Sequence, residues 1–405
     1  MPILQNFFGF QKVVKLNGVV EEVGELDWYW DTWFNGAYQK KIDAFHKSSF
    51  GFRASLIRMN NDRVYAWFNT STNAEVIIGK DNYLFGKEYI DAYRGKGYLG
   101  RTVIKEKVDY LKVIADGCKE QGKVFLLVLA PNKAAYYSEY LPYQHEIGDS
   151  VNSAVFLAEL KAQGLNVFDV NAWFLEKKKT SNYPLIPKGG VHWSHYGVSV
   201  FVDSLLTNLE EDLGKDLPEL LIDTLWESDS LLSPDNDLEL LLNLNQTIAM
   251  GVNHAYVKGH YTIKGKYQPK VITIGDSFWG TFQFLNYLPK DCFSSESEYW
   301  YYNHTVHPGG RKRTKKDLHQ LDNSDVVMMV LTSSNIPHFG WGALGELRTY
   351  FSLTDEMQIK QIIKEMKASP KWYNELKNKG IKHDIPLDTI LYNDAAYILN
   401  RRQLK

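Results

Sequence analysis

The sequence predicts an α/β protein of three layers, a mostly parallel sheet with helices on both faces. Three observations lead there. Val124-Phe125-Leu126-Leu127-Val128-Leu129 and Asp325-Val326-Val327-Met328-Met329-Val330-Leu331 are apolar runs of strand length, the mark of strands buried on both faces. Helical patterns separate the strand-like runs, and strands alternating with helices imply parallel pairing. Several runs end in residues able to do chemistry, Pro131-Asn132-Lys133, Gly275-Asp276-Ser277 and Thr332-Ser333-Ser334-Asn335. Open α/β sheets bind their ligands at that edge.

Taken in order, residues 1–75 lack clear strands and are dense in aromatics, among them Trp28, Tyr29, Trp30, Trp33, Phe34, Phe45, Phe50 and Phe52. They read as helical and irregular chain packed on the main body. Glu75-Val76-Ile77-Ile78, the turn-prone Gly79-Lys80-Asp81-Asn82 and Tyr83-Leu84-Phe85 predict a small hairpin. Ile104, Val108, Leu111, Ala115 and Cys118 recur at the spacing of a buried helix face, placing a helix over 103–119. After the strand from Val124, a helix over about 150–163 leads to a second strand, Asn166-Val167-Phe168-Asp169-Val170. His192 follows in the loop Gly189-Gly190-Val191-His192-Trp193, ahead of an amphipathic helix on Val198, Phe201, Val202, Leu205 and Leu209. Residues 211–268 read as an acidic, leucine-rich insertion with a turn at Ser233-Pro234-Asp235-Asn236. Strands over 270–274, near 298–302 and from Asp325 complete the sheet, and Ile359, Ile362, Ile363 and Met366 mark a helix in the tail. The expected organisation is an N-terminal segment (1–75), an α/β body with its insertion (76–350) and a helical tail of the same globule (351–405).

Composition narrows the function classes. With 405 residues, 44% hydrophobic and 23% charged, the chain can bury a sizeable core. A net charge of −2 gives no general pull toward nucleic acid. No apolar run reaches the roughly 18 residues of a membrane-spanning helix, so no span is expected. Met1-Pro2-Ile3-Leu4-Gln5 lacks the basic and apolar regions of a signal peptide, so either the protein is cytoplasmic or an export segment is missing. Cys118 and Cys292 make neither a disulfide framework nor a metal site. The aromatic content of 14%, with 11 Trp and 25 Tyr, suits either a large core or a sugar-stacking cleft. The basic run Arg311-Lys312-Arg313-Thr314-Lys315-Lys316 reads as a solvated loop, with a grip on an acidic polymer as the alternative.

Ser277 is the candidate nucleophile. A serine hydroxyl needs an imidazole to take its proton, and His192 is the candidate base. Each has a plain alternative: Gly-Asp-Ser also caps helices, and His192 also suits a buried structural loop. His192 and His195 lack a carboxylate or cysteine at ligand spacing, so neither a metal nor a diffusible cofactor is expected. Asn335 suits an oxyanion donor or a cap on the next segment. Lys133, at the same edge of the sheet, suits either a contact to an anionic substrate group or a plain exposed lysine, and Trp193 and Asp276 are further candidate substrate contacts.

Together these blocks resemble the SGNH-hydrolase-like family of alginate O-acetyltransferases and their exopolysaccharide-modifying relatives. The residues that carry the resemblance are Gly79-Lys80-Asp81-Asn82-Tyr83-Leu84-Phe85, Pro131-Asn132-Lys133, His192-Trp193 and Gly275-Asp276-Ser277-Phe278. They spread over about residues 75–335. Ordinary SGNH hydrolases place the serine block first and the histidine block last. Here the serine and asparagine strands follow His192, so the resemblance implies a circularly permuted, flavodoxin-like sheet of five parallel strands. It also implies a polysaccharide substrate, a membrane-bound acyl-donor protein, and a lost signal or anchor directing the chain to the periplasm or cell surface.

One departure stands out. The family expects an aspartate two or three residues before the histidine, where this chain has Gly190 and Gly189. Asp169, ending the strand before His192, is the best substitute by topology. Two functions follow: an O-acyltransferase or esterase acting on polysaccharide acetyl groups, or a non-catalytic polysaccharide-binding or assembly protein on a degenerate scaffold. A carboxylate within hydrogen-bond reach of the far nitrogen of His192 favours the first, and its absence the second.

Overall fold

The computed structural model describes residues 14–18, 28–143, 148, 150–248, 251–285, 288–352, 355–383 and 385–403. The opening Met1 to Gln5, on which the export expectation turns, lies outside them. Helices Trp30–Phe34, Ala37–Ser49 and Arg53–Phe68 precede an antiparallel pair, β1 (Val76–Ile78) and β2 (Leu84–Gly86). Asp81 and Asn82 turn the chain between them at φ 51° and 61°, a left-handed conformation that short polar side chains tolerate.

The central sheet is built from β3 (Val124–Ala130) and β4 (Val167–Asp169), then β7 (Val271–Gly275), β8 (Glu298–Tyr301), β9 (Thr305–His307), β10 (Arg311–Lys312) and β11 (Val326–Thr332). The insertion supplies a separate antiparallel hairpin, β5 (Leu220–Ser228) and β6 (His254–Tyr261). The spatial order of the main sheet is β10-β9-β8-β7-β11-β3-β4, and β8, β7, β11, β3 and β4 pair in parallel. Counted from β7, those five strands run 2-1-3-4-5, the flavodoxin-like order. The chain therefore enters this sheet at its fourth strand, which is the expected permutation. Two short antiparallel strands, β9 and β10, extend one edge beyond the five expected.

Period-two alternation makes the layers. Leu126 and Val128 of β3, Val271 of β7, and Met328 and Val330 of β11 face one core, with the helices His195–Leu213 and Ser277–Phe284. Leu127 and Leu129, Ile272 and Ile274, and Val327 and Met329 face the other, against Arg101–Glu120, Asn152–Ala162 and Ala343–Phe351. Each such fully buried side chain contributes about 1.5–3 kcal/mol. A third cluster around Ile359, Ile362, Met366, Leu376 and Leu391 belongs to the C-terminal helices Asp355–Ala368, Pro370–His383 and Leu387–Gln403.

The basic run is not simply a solvated loop. Arg311 lies in edge strand β10 and pairs with Glu298 at 3.1 Å and Asp317 at 2.7 Å. Arg313 is buried, with its guanidinium 4.6 Å from the Trp300 ring centre and paired with Glu346. Charge on a short edge strand also blocks pairing with other chains. Among the described residues, no helix is long and apolar enough to cross a membrane.

Candidate active site

Every residue of β7 is buried, and the strand ends where Asp276 caps the helix Ser277–Phe284. Ser277 thus opens a helix at the C-terminal end of β7. Its neighbour β11 lies across the point where the strand order reverses, the place where such sheets hold ligands.

His192 reaches Ser277 from the loop before helix His195–Leu213. Its Nε2 lies 2.8 Å from Ser277 Oγ. On the other side of the ring, Nδ1 lies 2.6 Å from Asp237 Oδ2. An ionised carboxylate only accepts hydrogen bonds, so the Nδ1 proton goes to Asp237 and Nε2 keeps its lone pair for the serine hydroxyl. The ring packs against Phe278, with centroids 4.9 Å apart. Asp237 Oδ1 accepts the Val191 main-chain N–H at 2.9 Å, so one carboxylate orients both the loop and the imidazole.

Several site residues expected from sequence stand elsewhere. Asp169 does not orient His192: it caps the helix Val170–Lys177, accepting from the Ala172 N–H at 3.1 Å, while Asp237 and Ser277 engage both nitrogens of the ring. Asn335 directs its amide to Asp276 Oδ2 at 2.7 Å rather than toward an oxyanion. Asp276 is fully buried, so it is no substrate contact. Its carboxylate accepts from the Phe278 and Thr332 N–H groups as well as from Asn335, binding the ends of β7 and β11 together. Burial raises its pKa, and those three donors oppose the shift.

Lys133 is fully buried and gives its ammonium to main-chain carbonyls of the His192 loop. Trp193 is also fully buried, stacked on Phe201 at 4.3 Å, so it is core rather than a sugar platform. His195 turns Nε2 to the Ser233 carbonyl at 3.0 Å, so that nitrogen donates and is no metal ligand.

Two further residues belong to this site. Asp237 lies in the insertion, 45 positions beyond His192 in the chain, and no spacing rule pointed to it. Gly190 explains its position: a Cβ there would come within 2.6 Å of the Asp235 carbonyl oxygen. The backbone of the Asp235–Asp237 segment occupies the space that a side chain just before His192 would need. The second residue is Tyr302, whose hydroxyl neighbours Ser277: burial raises its pKa, and the Ser277 side chain and main chain oppose the shift. Its φ of 46° is unusual for a tyrosine, and its N–H donates to the Gly275 carbonyl at 2.9 Å. Backbone strain of this kind costs about 1–3 kcal/mol and collects at functional sites. Beside Ser277 opens a cleft of about 430 Å³ lined by His192, Pro234, Thr281, Phe284 and Tyr301.

The SGNH hydrolase-like domain of acetyltransferase AlgX matches residues 76–293. Among solved structures, the O-acetyltransferase domain of Pseudomonas putida AlgJ is 16% identical, with 68% of this chain and 99% of that one covered and a TM-score of 0.45. Pseudomonas aeruginosa AlgX is 13% identical, with 66% and 68% covered and a TM-score of 0.42. Bacillus cereus PatB1 is 13% identical, with 64% and 96% covered and a TM-score of 0.36. No curated protein sequence matches the chain. The matched segment is more than half of the chain and carries β1 through β7, His192, Asp237 and Ser277: the chain belongs to the SGNH hydrolase-like acetyltransferase family of AlgX.

Proposed function

We propose that this protein is an O-acetyltransferase acting on the hydroxyls of an exported polysaccharide, with Ser277 as nucleophile, His192 as base and Asp237 as orienting acid. His192 Nε2 takes the Oγ proton as Oγ attacks an acetyl carbonyl, and the imidazolium then returns that proton to the departing group. The Ser277 N–H and the neighbouring Tyr302 hydroxyl are the proposed donors to the carbonyl oxygen as it gains charge, and such donors act strongly in a water-poor site. A sugar hydroxyl, deprotonated by His192, then attacks acetyl-Ser277 and regenerates the free serine. Membership of the family supports a location outside the cytoplasm, and the acetyl group would come from a separate acyl-donor protein.

The carrying observation is the carboxylate 2.6 Å from His192 Nδ1. A scaffold that only bound polysaccharide would need no such partner. The reading is tested with p-nitrophenyl acetate, with and without an oligosaccharide acceptor. Wild type is expected to release nitrophenol and to acetylate the acceptor, whereas Ser277→Ala and His192→Ala fall to the blank rate. Equal turnover by wild type and Ser277→Ala contradicts it.

A further inference from the structure

We propose that Lys133 is a positioning residue for His192, its buried ammonium fixing the loop that holds the imidazole against Ser277. Lys133 Nζ donates to the carbonyls of Pro187 at 2.7 Å, Lys188 at 2.8 Å and Gly190 at 2.6 Å. An ammonium has three donors, so all of them serve this one stretch of loop. The last carbonyl belongs to the residue two before His192.

The rest of the loop is held from other sides. The Glu239 N–H donates to the Gly189 carbonyl at 3.0 Å, and the Leu84 N–H to the Lys188 carbonyl at 3.0 Å. The Lys188 N–H donates to His254 Nε2 at 3.3 Å. Among the described residues, Lys133 is thus the one side chain that binds three of the loop carbonyls at once. Without it the Pro187 and Gly190 carbonyls lose this donor in a buried place, while the Lys188 carbonyl keeps the Leu84 N–H, and the loop has reason to rotate. A displacement of about 1 Å at a reacting group can cost on the order of 100-fold in rate.

The surroundings are charged. Asp235 and Asp237 face the ammonium from the insertion and stabilise it, while Lys188 of the loop opposes it and His254 of β6 lies near. The Phe85 ring centre of β2 lies 5.6 Å from Nζ. Burial is the larger effect and brings the Lys133 pKa down to about 7. Above that pH the neutral amine has two N–H groups for three carbonyls, so the grip weakens as the medium turns alkaline.

The kinetic arm rests on the proposed acetyl transfer; the spectroscopic arm does not. Lys133→Met keeps the length and removes the donors. Its low-field proton resonance from His192 Nδ1–H···Asp237, assigned by its loss in His192→Ala, is expected to shift or broaden while circular dichroism stays native. With p-nitrophenyl acetate, kcat should fall ~10–100-fold with KM within about twofold. The wild-type rate is expected to fall above pH 7, and that fall should be absent from the variant's profile. An unchanged resonance with an unchanged kcat overturns the proposal. If wild type lacks esterase activity, the functional reading fails, and the resonance still decides the role of Lys133. If Lys133→Met does not fold, Lys133→Gln, which keeps only two donors, is read in the same way: a shifted or broadened resonance supports the proposal, and an unchanged one overturns it.

Discussion

The proton on His192 Nδ1 sets the direction in which the site can work. Asp237 accepts it, leaving Nε2 a base toward Ser277. Asp237→Asn keeps an acceptor for the Val191 N–H, so the fold should survive. The amide can also donate to Nδ1 and favour the wrong tautomer, so kcat should drop on the order of ten-thousandfold in the nitrophenyl ester assay. Asp169→Ala removes only a helix cap: kcat should hold while stability falls by about 1 kcal/mol in urea. Tyr302→Phe removes the proposed oxyanion donor and should lower kcat about 100-fold with KM little changed. Ser277 and His192 were legible in the sequence because each combines a reactive residue type with a strand end or a glycine loop. Asp237 was not, since its partnership is made by tertiary packing across 45 positions and leaves no local pattern. Lys133 misled for the opposite reason: lysine is ordinarily exposed, and only the carbonyl cage permits its burial.

At the scale of elements, the loop and the insertion behave as one device. Gly190 lies against the backbone of Asp235 because it has no Cβ, and that contact brings Asp237 to the imidazole. Gly190→Ala should therefore lower both the thermal midpoint and kcat, and a crystal structure should show the Asp237 segment displaced. The parallel core strands were readable because burial on both faces demands continuous apolar runs. The edge strands β9 and β10 were not, because short polar strands such as Arg311–Lys312 carry no hydrophobic period. The cost of breaking a readable strand is testable: Leu127→Ala should destabilise the fold by about 2–5 kcal/mol in denaturant melts.

Across the whole molecule, buried titratable groups make stability depend on pH. His254 is fully buried, accepts the Lys188 N–H, and has its pKa driven down to about 4 by burial. Below pH 6.5 the unfolded imidazole gains a proton that the folded one refuses, so this term erodes stability as pH falls toward 4. The loss amounts to about 3 kcal/mol. His254→Gln keeps an acceptor for Lys188, so its urea midpoint should fall less than that of wild type between pH 7 and pH 4. A parallel fall in both proteins would remove His254 from the account.

The central claim is that Ser277 carries the acetyl group between donor and acceptor. Intact mass spectrometry of acid-quenched protein after brief exposure to p-nitrophenyl acetate tests it most directly. The account predicts one acetyl per wild-type chain, mapping to the peptide that contains Ser277. It also predicts far slower labelling of Asp237→Asn, and none in that peptide of Ser277→Ala. Equal labelling of all three proteins, or an acetyl group resident on another side chain, would contradict it.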